Sequence, residues 1–325
     1  YIIENIKMRN KYNKDQSPLF KIKSHKRLCD VLGLSSITTL KNIIRNGDSN
    51  YYKSTIHKDN KERKIEVPLP QLKRIHQKIN LYLSRIKTPD YLHSGIKKRS
   101  HITNAKQHLK NDHVVKIDIK SFYPSVKKNV IFKFFRDELE CSRDVSETLS
   151  LLCTCDNHIP TGSPLSQNLS FFSNKKMFDL VNDFSKEKNI TFTCYVDDIT
   201  ISSKVINKED KEKIIKILSS FKYKTHKYKN YPPQCKHKEI TGVIIKNGTM
   251  EVKNKHKKNI SILSHRKEIF FKNKGNTHQD TIMTYQKLIG HIYSASQINP
   301  TYKNYGKAIV LERDLRSIDN INKKI

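Results

Sequence analysis

Three aspartates occupy positions that packing alone does not explain. Asp118 lies inside Val114-Val115-Lys116-Ile117-Asp118-Ile119, a run otherwise suited to a buried strand, where an acid is disfavoured unless it is paired or liganded. Asp197 and Asp198 separate two β-rich runs, Thr191–Val196 and Ile199–Ser203, so the spacing predicts a hairpin with acids at its tip. Adjacent like charges repel unless a cation neutralises them. If the hairpin pairs beside the Asp118 strand, all three acids meet at one sheet end. Hard oxygen ligands of this kind suit Mg²⁺ together with substrate phosphates. Two such ions about 4 Å apart would activate an attacking hydroxyl and stabilise the leaving oxygen of a phosphoryl transfer. The plain alternative is an ordinary Asp-Asp turn.

The elements that must position these acids are legible in outline. Residues 1–60 read as a basic, helical N-terminal extension with an amphipathic piece around Leu28, Val31, Leu32 and Leu40. Arg63–Pro68 reads as a short strand closed by proline. Leu72, Ile75, Ile79, Leu83 and Ile86 follow at helical spacing until Pro89. A helix from near Pro124 carries Val130, Ile131, Phe134, Phe135 and Leu139, and another passes through Leu169, Phe172 and Phe178. Asn207 can cap the helix of Ile214, Ile217, Leu218 and Phe221. Thr241–Lys246 and Thr249–Val252 flank Asn247-Gly248, a strong hairpin signal. From Lys253 the pattern is helical, with 15 Lys/Arg against 5 Asp/Glu, a net of +10.

Composition narrows the function classes. The 325 residues carry 63 Lys and Arg against 31 Asp and Glu, a net charge of +32. So large an excess points to a polyanionic partner, with nucleic acid the leading candidate. No apolar run approaches the roughly 20 residues of a membrane span, so no membrane partner is expected. No signal-peptide core follows Tyr1, and the missing initiator Met leaves the true start open. Six cysteines in a long chain, without a second pair near Cys153 and Cys155, read as reduced thiols of a cytoplasmic protein. Phe221, Tyr223, Tyr228 and Tyr231 interleave with lysines including Lys227 and Lys229. That mixture suits phosphate neutralisation with base stacking; core aromatics beside solvated lysines are the competing reading.

The motifs around the acids resemble those of reverse transcriptases, in order and with palm-like spacing. Ile117–Ser125 looks like motif A, Ile159–Gln167 like motif B, and Tyr195-Val196-Asp197-Asp198 like motif C. Arg63-Lys64-Ile65, followed by Pro68, resembles the fingers strand whose arginine meets the incoming triphosphate. Two further marks resemble retron reverse transcriptases in particular: Asn104-Ala105-Lys106-Gln107-His108 fits an Asn-Ala-x-x-His pattern, and Ile240-Thr241-Gly242 a Val-Thr-Gly element with Ile for Val. The resemblance runs from about Arg63 to Val252 and more loosely beyond.

It implies an α+β right-hand polymerase, with fingers and palm over 61–252 and a helical, RNA-binding thumb over 253–325. By resemblance, Asp118, Asp197 and Asp198, helped by the carbonyl of Ile119, hold two Mg²⁺ ions, with Mn²⁺ as a substitute. Arg63 contacts the triphosphate, Tyr123 acts as a steric gate against a ribose 2′-hydroxyl, and Thr161 and Gly162 border the nucleotide. Thr161 departs from the family's usual Gln, a longer side chain. Asn104, His108, Lys227, Lys229, Thr241 and Gly242 are expected at the RNA, and Lys227 or Lys229 could instead be the motif D proton donor. The family's partners would be deoxynucleoside triphosphates and a cognate structured noncoding RNA serving as template and primer. Synthesis from an internal guanosine 2′-hydroxyl would give a branched RNA–DNA product, in many systems complexed with an effector protein for antiphage defence. Another bacterial reverse transcriptase (intron-maturase-like or abortive-infection type) and a silent RNA-binding scaffold are the alternatives.

Overall fold

The first helices form where serine hydroxyls can cap them. In the computed structural model, which describes residues 11–58, 61–272 and 278–322, Ser24 accepts from the Arg27 amide at the start of α1 (His25–Leu32). Ser36 does the same from the Thr39 amide for α2 (Ile37–Asn46). Both helices bury their apolar faces, Leu28, Val31, Leu32, Leu40 and Ile43, in the main core. Residues 1–10 of the expected helical extension lie outside the described residues. Its last stretch is not helical: β1 (Tyr51–Lys58) pairs antiparallel with β2 (Lys61–Pro68), Ile56 opposite Arg63 and Lys53 opposite Glu66. This strand escaped sequence reading because it lies in a two-stranded ribbon, where Tyr52 is 63% and Ile56 41% exposed; a strand without a buried face shows no apolar alternation. Then α3 (Pro70–Ser84) begins on proline and buries Leu72, Ile75, Ile79 and Leu83, as the spacing predicts.

After α4 (His101–Lys106) comes β3 (His113–Asp118), whose Val114, Val115 and Ile117 are fully buried. The single helix expected from Pro124 is broken into α5 (Phe122–Ser125), α6 (Lys128–Lys133) and a π-helical turn over Phe134–Glu138. Val126 turns extended at ψ 95° between the first two. There follow α7 (Arg143–Leu152), α8 (Ser166–Ser173) and α9 (Lys175–Glu187). The hairpin of β4 (Thr191–Tyr195) and β5 (Asp198–Ser203) leads to α10 (Lys208–Ser220), where Asn207 and Asp210 form a reciprocal capping box. With β6 (Lys229–Tyr231) these strands complete a four-stranded sheet in the order β4-β5-β3-β6. The hairpin therefore does lie beside the Asp118 strand.

The chain continues through an antiparallel sheet of β7 (His237–Ile240), β8 (Val243–Lys246) and β9 (Thr249–Glu251). It ends in α11 (Asn254–Lys272), α12 (His278–Ser296) and α13 (Thr301–Asn322). The architecture is α+β. It divides into two units at places other than residues 60 and 252: the first runs to Ser100 and resumes over Val115–Asn230, and the second takes His101–Val114 and everything from Tyr231. The reason is packing. Ile102 and Ala105 of α4 share a core with Ile240, Val243 and Ile245, so α4 and the small sheet join the C-terminal helices. Those helices have their own cluster, with Ile260, Tyr285, Leu288, Ile292 and Ile309 buried. No helix of the described residues is long and apolar enough to cross a membrane.

Candidate active site

The end of β3 is fixed from both sides. The Ile119 amide donates to the Asp197 carbonyl (3.1 Å), and the His226 amide donates to the Asp118 carbonyl (2.9 Å). Tyr195 pairs with Asp198 across the hairpin, leaving Val196 and Asp197 as a two-residue turn. Val196 sits at φ 60°, a left-handed conformation that costs a β-branched residue about 1–3 kcal/mol unless its surroundings enforce it. Ser94 supplies that restraint, its Oγ accepting from the Val196 amide at 2.9 Å, and the Cys194 thiol donates to the Val196 carbonyl at 3.5 Å.

Convergence of the acids is visible in the protonation of Asp197 and Asp198. Burial, and then the charge of Asp118, push the Asp197 carboxyl up to about 6, against a smaller opposing pull from Arg63. Burial also raises Asp198, with Asp118 adding to it, while Lys116 and Lys229 oppose the rise. Lys116 Nζ lies 2.9 Å from Asp198 Oδ2, yet Asp198 Oδ1 is buried with no hydrogen-bond partner among the described residues. His226 Nε2 stands 3.6 Å from Asp118 Oδ2, both side chains about half exposed. Crowded carboxylates with a raised protonation point and an orphaned buried oxygen are a donor set that fits a hard divalent cation. A different group, Asp48, Cys155 and Asp156, also brings its ligand atoms within 4.8 Å of one another. There Lys53 bonds both Asp156 oxygens, at 2.8 and 2.9 Å, and holds that carboxyl low. It is an ion pair already complete.

The nucleotide-side residues are distributed around the acids. Tyr123 lies on α5, half-buried beside Phe122 at 6.0 Å between ring centres. Its phenol is pushed up to about 12, first by burial and then by the charges of Asp197 and Tyr195. Arg63 stands exposed on β2. The Thr161 hydroxyl is used within the protein: Oγ1 donates to the Lys64 carbonyl at 2.8 Å. The Thr161 amide donates to Glu66 Oε2 (3.2 Å), and the Gly162 amide to the Glu66 carbonyl (3.1 Å). A Cβ on Gly162 would meet that carbonyl at 2.7 Å, so only glycine permits this approach. The shorter Thr in place of the family's Gln thus ties the turn to β2.

Two residues of this turn's support escaped sequence reasoning. Buried Glu66 also bonds His158 Nε2 through Oε1 at 3.0 Å. An acid between Ile65 and Val67 in a strand was the available signal. His76, fully buried on α3, places Nε2 2.7 Å from the Leu152 carbonyl, which requires the proton on that nitrogen. Its Nδ1 therefore accepts from Ser163 Oγ at 2.6 Å. Burial lowers the imidazole to about 4, keeping it neutral. His76 fell on the apolar face of a helix, where periodicity reads only as core.

The expected RNA-facing residues separate into two kinds. Asn104 and His108 are fully buried and have no surface to offer a nucleic acid, which corrects their expected direct role. Asn104 Nδ2 instead makes a long 3.5 Å bond to Thr241 Oγ1, which donates to the His101 carbonyl at 2.8 Å. Thr241 and Gly242 form the turn between β7 and β8 with φ of 45° and 85°, the type I′ geometry of a tight hairpin. The two retron-like elements therefore meet. Gly242 borders a cavity of about 180 Å³ whose wall includes Lys253, Lys255, His256, Asn259 and Ser294. Lys227 and Lys229 are exposed. The aromatics among them are not a stacking row: Tyr223 is 4% exposed and donates to Asn174 Oδ1 at 2.7 Å. Tyr228 packs on the main core with Lys211 over its ring, and Tyr231 packs in the small sheet's core.

A sheet end that gathers three such acids is the arrangement of a polymerase palm. The profile of reverse transcriptase (RNA-dependent DNA polymerase) matches residues 56–266, and the chain belongs to that family. Among curated proteins it is similar to several retron reverse transcriptases. It is 37% identical over 172 residues to the retron Se72 reverse transcriptase of Salmonella heidelberg (strain 579083-10), covering 51% of this chain and 45% of that one. Identity is 25% over 177 residues to the retron Ec86 reverse transcriptase of Escherichia coli, covering 53% and 55%. The chain spans about half the length of these curated relatives. Among solved structures, telomerase from Candida albicans aligns over 76% of this chain and 56% of its own, with 11% identity and a TM-score of 0.47.

Proposed function

We propose that the protein is an RNA-directed DNA polymerase that copies a cognate structured noncoding RNA. The observation that carries this reading is the convergence of Asp118, Asp197 and Asp198, with Asp197 raised to about 6 and Asp198 Oδ1 unpartnered among the described residues. These acids, with the Ile119 carbonyl, would hold two divalent cations, Mg²⁺ or in its place Mn²⁺, which when bound activate the primer hydroxyl and stabilise the leaving oxygen. Arg63 pairs its planar fork with triphosphate oxygens. Tyr123 closes the space a ribose 2′-hydroxyl would need. Glu66 and His76 hold the turn of Thr161, Gly162 and Ser163 in one conformation at the edge of the nucleotide site. Lys227 or Lys229 grips phosphate or returns a proton to the leaving group.

The finer reading follows the retron likeness. The RNA serves as template and primer, synthesis starts at the 2′-hydroxyl of an internal guanosine, and the product is branched RNA–DNA (msDNA). An effector protein of an antiphage defence system is the further partner. The lysine-lined cavity beside Gly242 and the net +10 of residues 253–325 support RNA binding by the second unit.

The test is purification of the protein with its bound nucleic acid, alongside the Asp197→Ala, Asp198→Ala double variant. Wild type should yield one short structured RNA joined to DNA, and the double variant the same RNA without DNA. DNA synthesis by the double variant would remove the acids from the chemistry; a random RNA population would remove the cognate template.

A further inference from the structure

Lys116 precedes Asp118 by two residues on β3, and alternation along a strand puts the two side chains on the same face. Its ammonium reaches across to the neighbouring strand, β5, where Nζ lies 2.9 Å from Asp198 Oδ2. The pair is mostly out of water, with Lys116 15% and Asp198 21% exposed. The other Asp198 oxygen, Oδ1, is buried without a partner among the described residues. One carboxylate oxygen is thus taken by a cation of the protein itself, and the other has no partner among the described residues.

We propose that Lys116 is the internal counter-ion of Asp198, holding that carboxylate in the metal-free protein and weakening the site's grip on divalent ions until a nucleotide triphosphate arrives with them. This rests on the reading that the three acids hold metal. A carboxylate offers about four lone-pair positions, so an ion can enter at Oδ1 while the ammonium still sits on Oδ2. The ion then enters beside a fixed positive charge, and at such distances in a partly dry site the repulsion is a matter of several RT. Mg²⁺ already relies on substrate phosphates to complete its shell. With Lys116 in place the acids alone bind it poorly, and the triphosphate supplies the missing negative charge. The lysine makes ion binding conditional on substrate. Lys116 is a positioning residue: it acts through Asp198.

The measurement is Mn²⁺ binding without nucleotide, read from the paramagnetic resonance signal of free Mn²⁺. Lys116→Gln should bind Mn²⁺ about tenfold more tightly than wild type, and Lys116→Arg, which keeps the charge, should match wild type. In an Asp198→Asn background the gain from Lys116→Gln should shrink, since the carboxylate that holds the ammonium beside the ion is gone. A purely structural lysine would lower stability and leave Mn²⁺ affinity where it was. Equal or weaker Mn²⁺ binding by Lys116→Gln overturns the inference. If Lys116→Gln binds Mn²⁺ and a further Asp118→Asn change abolishes that binding, the acids are an ion site; if neither wild type nor Lys116→Gln binds Mn²⁺, the metal reading fails along with the inference.

Discussion

Replacing Asp197 by asparagine should stabilise the metal-free protein even as it ends DNA synthesis. Asparagine keeps the shape and removes the charge. In the folded chain the Asp197 carboxyl is raised from its ordinary 3.8 to about 6, by burial and by Asp118. A folded value above the unfolded one means that the native state holds the proton more tightly. The associated stability is full below the unfolded value and is lost as pH rises through about 6. Above that range the ionised Asp197 costs the native state ~3 kcal/mol, since each pH unit corresponds to ~1.4 kcal/mol. Asp197→Asn should therefore gain up to ~3 kcal/mol near pH 7.5, about half of that near pH 5, and almost nothing below pH 4. Urea unfolding with a chelator present, followed by circular dichroism at those pH values, reads this directly. Mg²⁺ added at pH 7.5 should narrow the gap by stabilising wild type alone. A variant no more stable than wild type near pH 7.5, or one whose advantage grows as pH falls, would refute the account of the acids as a frustrated, ion-seeking cluster.

Gly162→Ala should cost about 1–3 kcal/mol and slow nucleotide addition, because the new Cβ meets the Glu66 carbonyl at 2.7 Å; thermal unfolding and single-nucleotide extension check the two parts. Tyr123→Ala should raise the ratio of ribonucleotide to deoxynucleotide incorporation, and an unchanged ratio returns the ring to a packing role. Asn104→Ala, which removes the 3.5 Å bond to Thr241 and keeps the one from Thr241 to the His101 carbonyl, should weaken preference for the cognate RNA over an unrelated hairpin. Synthesis on an artificial primer–template should survive that change. RNA affinity should fall steeply with salt in wild type, as expected of a chain of net charge +32.

Where sequence reasoning succeeded, one physical constraint dominated a short stretch. The β4–β5 hairpin was legible from its two β-rich runs, though one residue out of register: the turn is Val196-Asp197, and Asp198 opens β5 opposite Tyr195; an acid in a strand of valine and isoleucine marks Asp118. The helix of Leu72 to Leu83 was legible because one face is wholly buried. Failures share a cause: the partner is distant in sequence. Glu66 meets Thr161 at 95 residues' separation, and His76 meets Ser163 at 87. Neither is announced by local pattern. Tyr223 stood among lysines, so composition suggested base stacking, whereas its hydroxyl is used on Asn174 inside the core. Asn104 and His108 were recognisable as a motif, but only packing tells that they brace a turn from within. The unit boundary at Ser100 was invisible because α4 carries just Ile102 and Ala105 into a core whose other half comes more than a hundred residues later.

Val196, held at φ 60° immediately before Asp197, has a consequence for how this protein could be evolved in the laboratory. Asparagine tolerates the left-handed region far better than valine, so Val196→Asn is an easily reached route to a tougher protein. The same change removes the reason that the turn has a single shape, since valine's discomfort is tolerated only while Ser94 and the strands clamp it. A library at this one position, selected once for heat resistance and once for DNA synthesis, would therefore diverge. Heat would enrich asparagine and glycine, and synthesis would return the strained residue. Position 196 is where robustness and chemistry draw on the same two backbone angles and want different values of them.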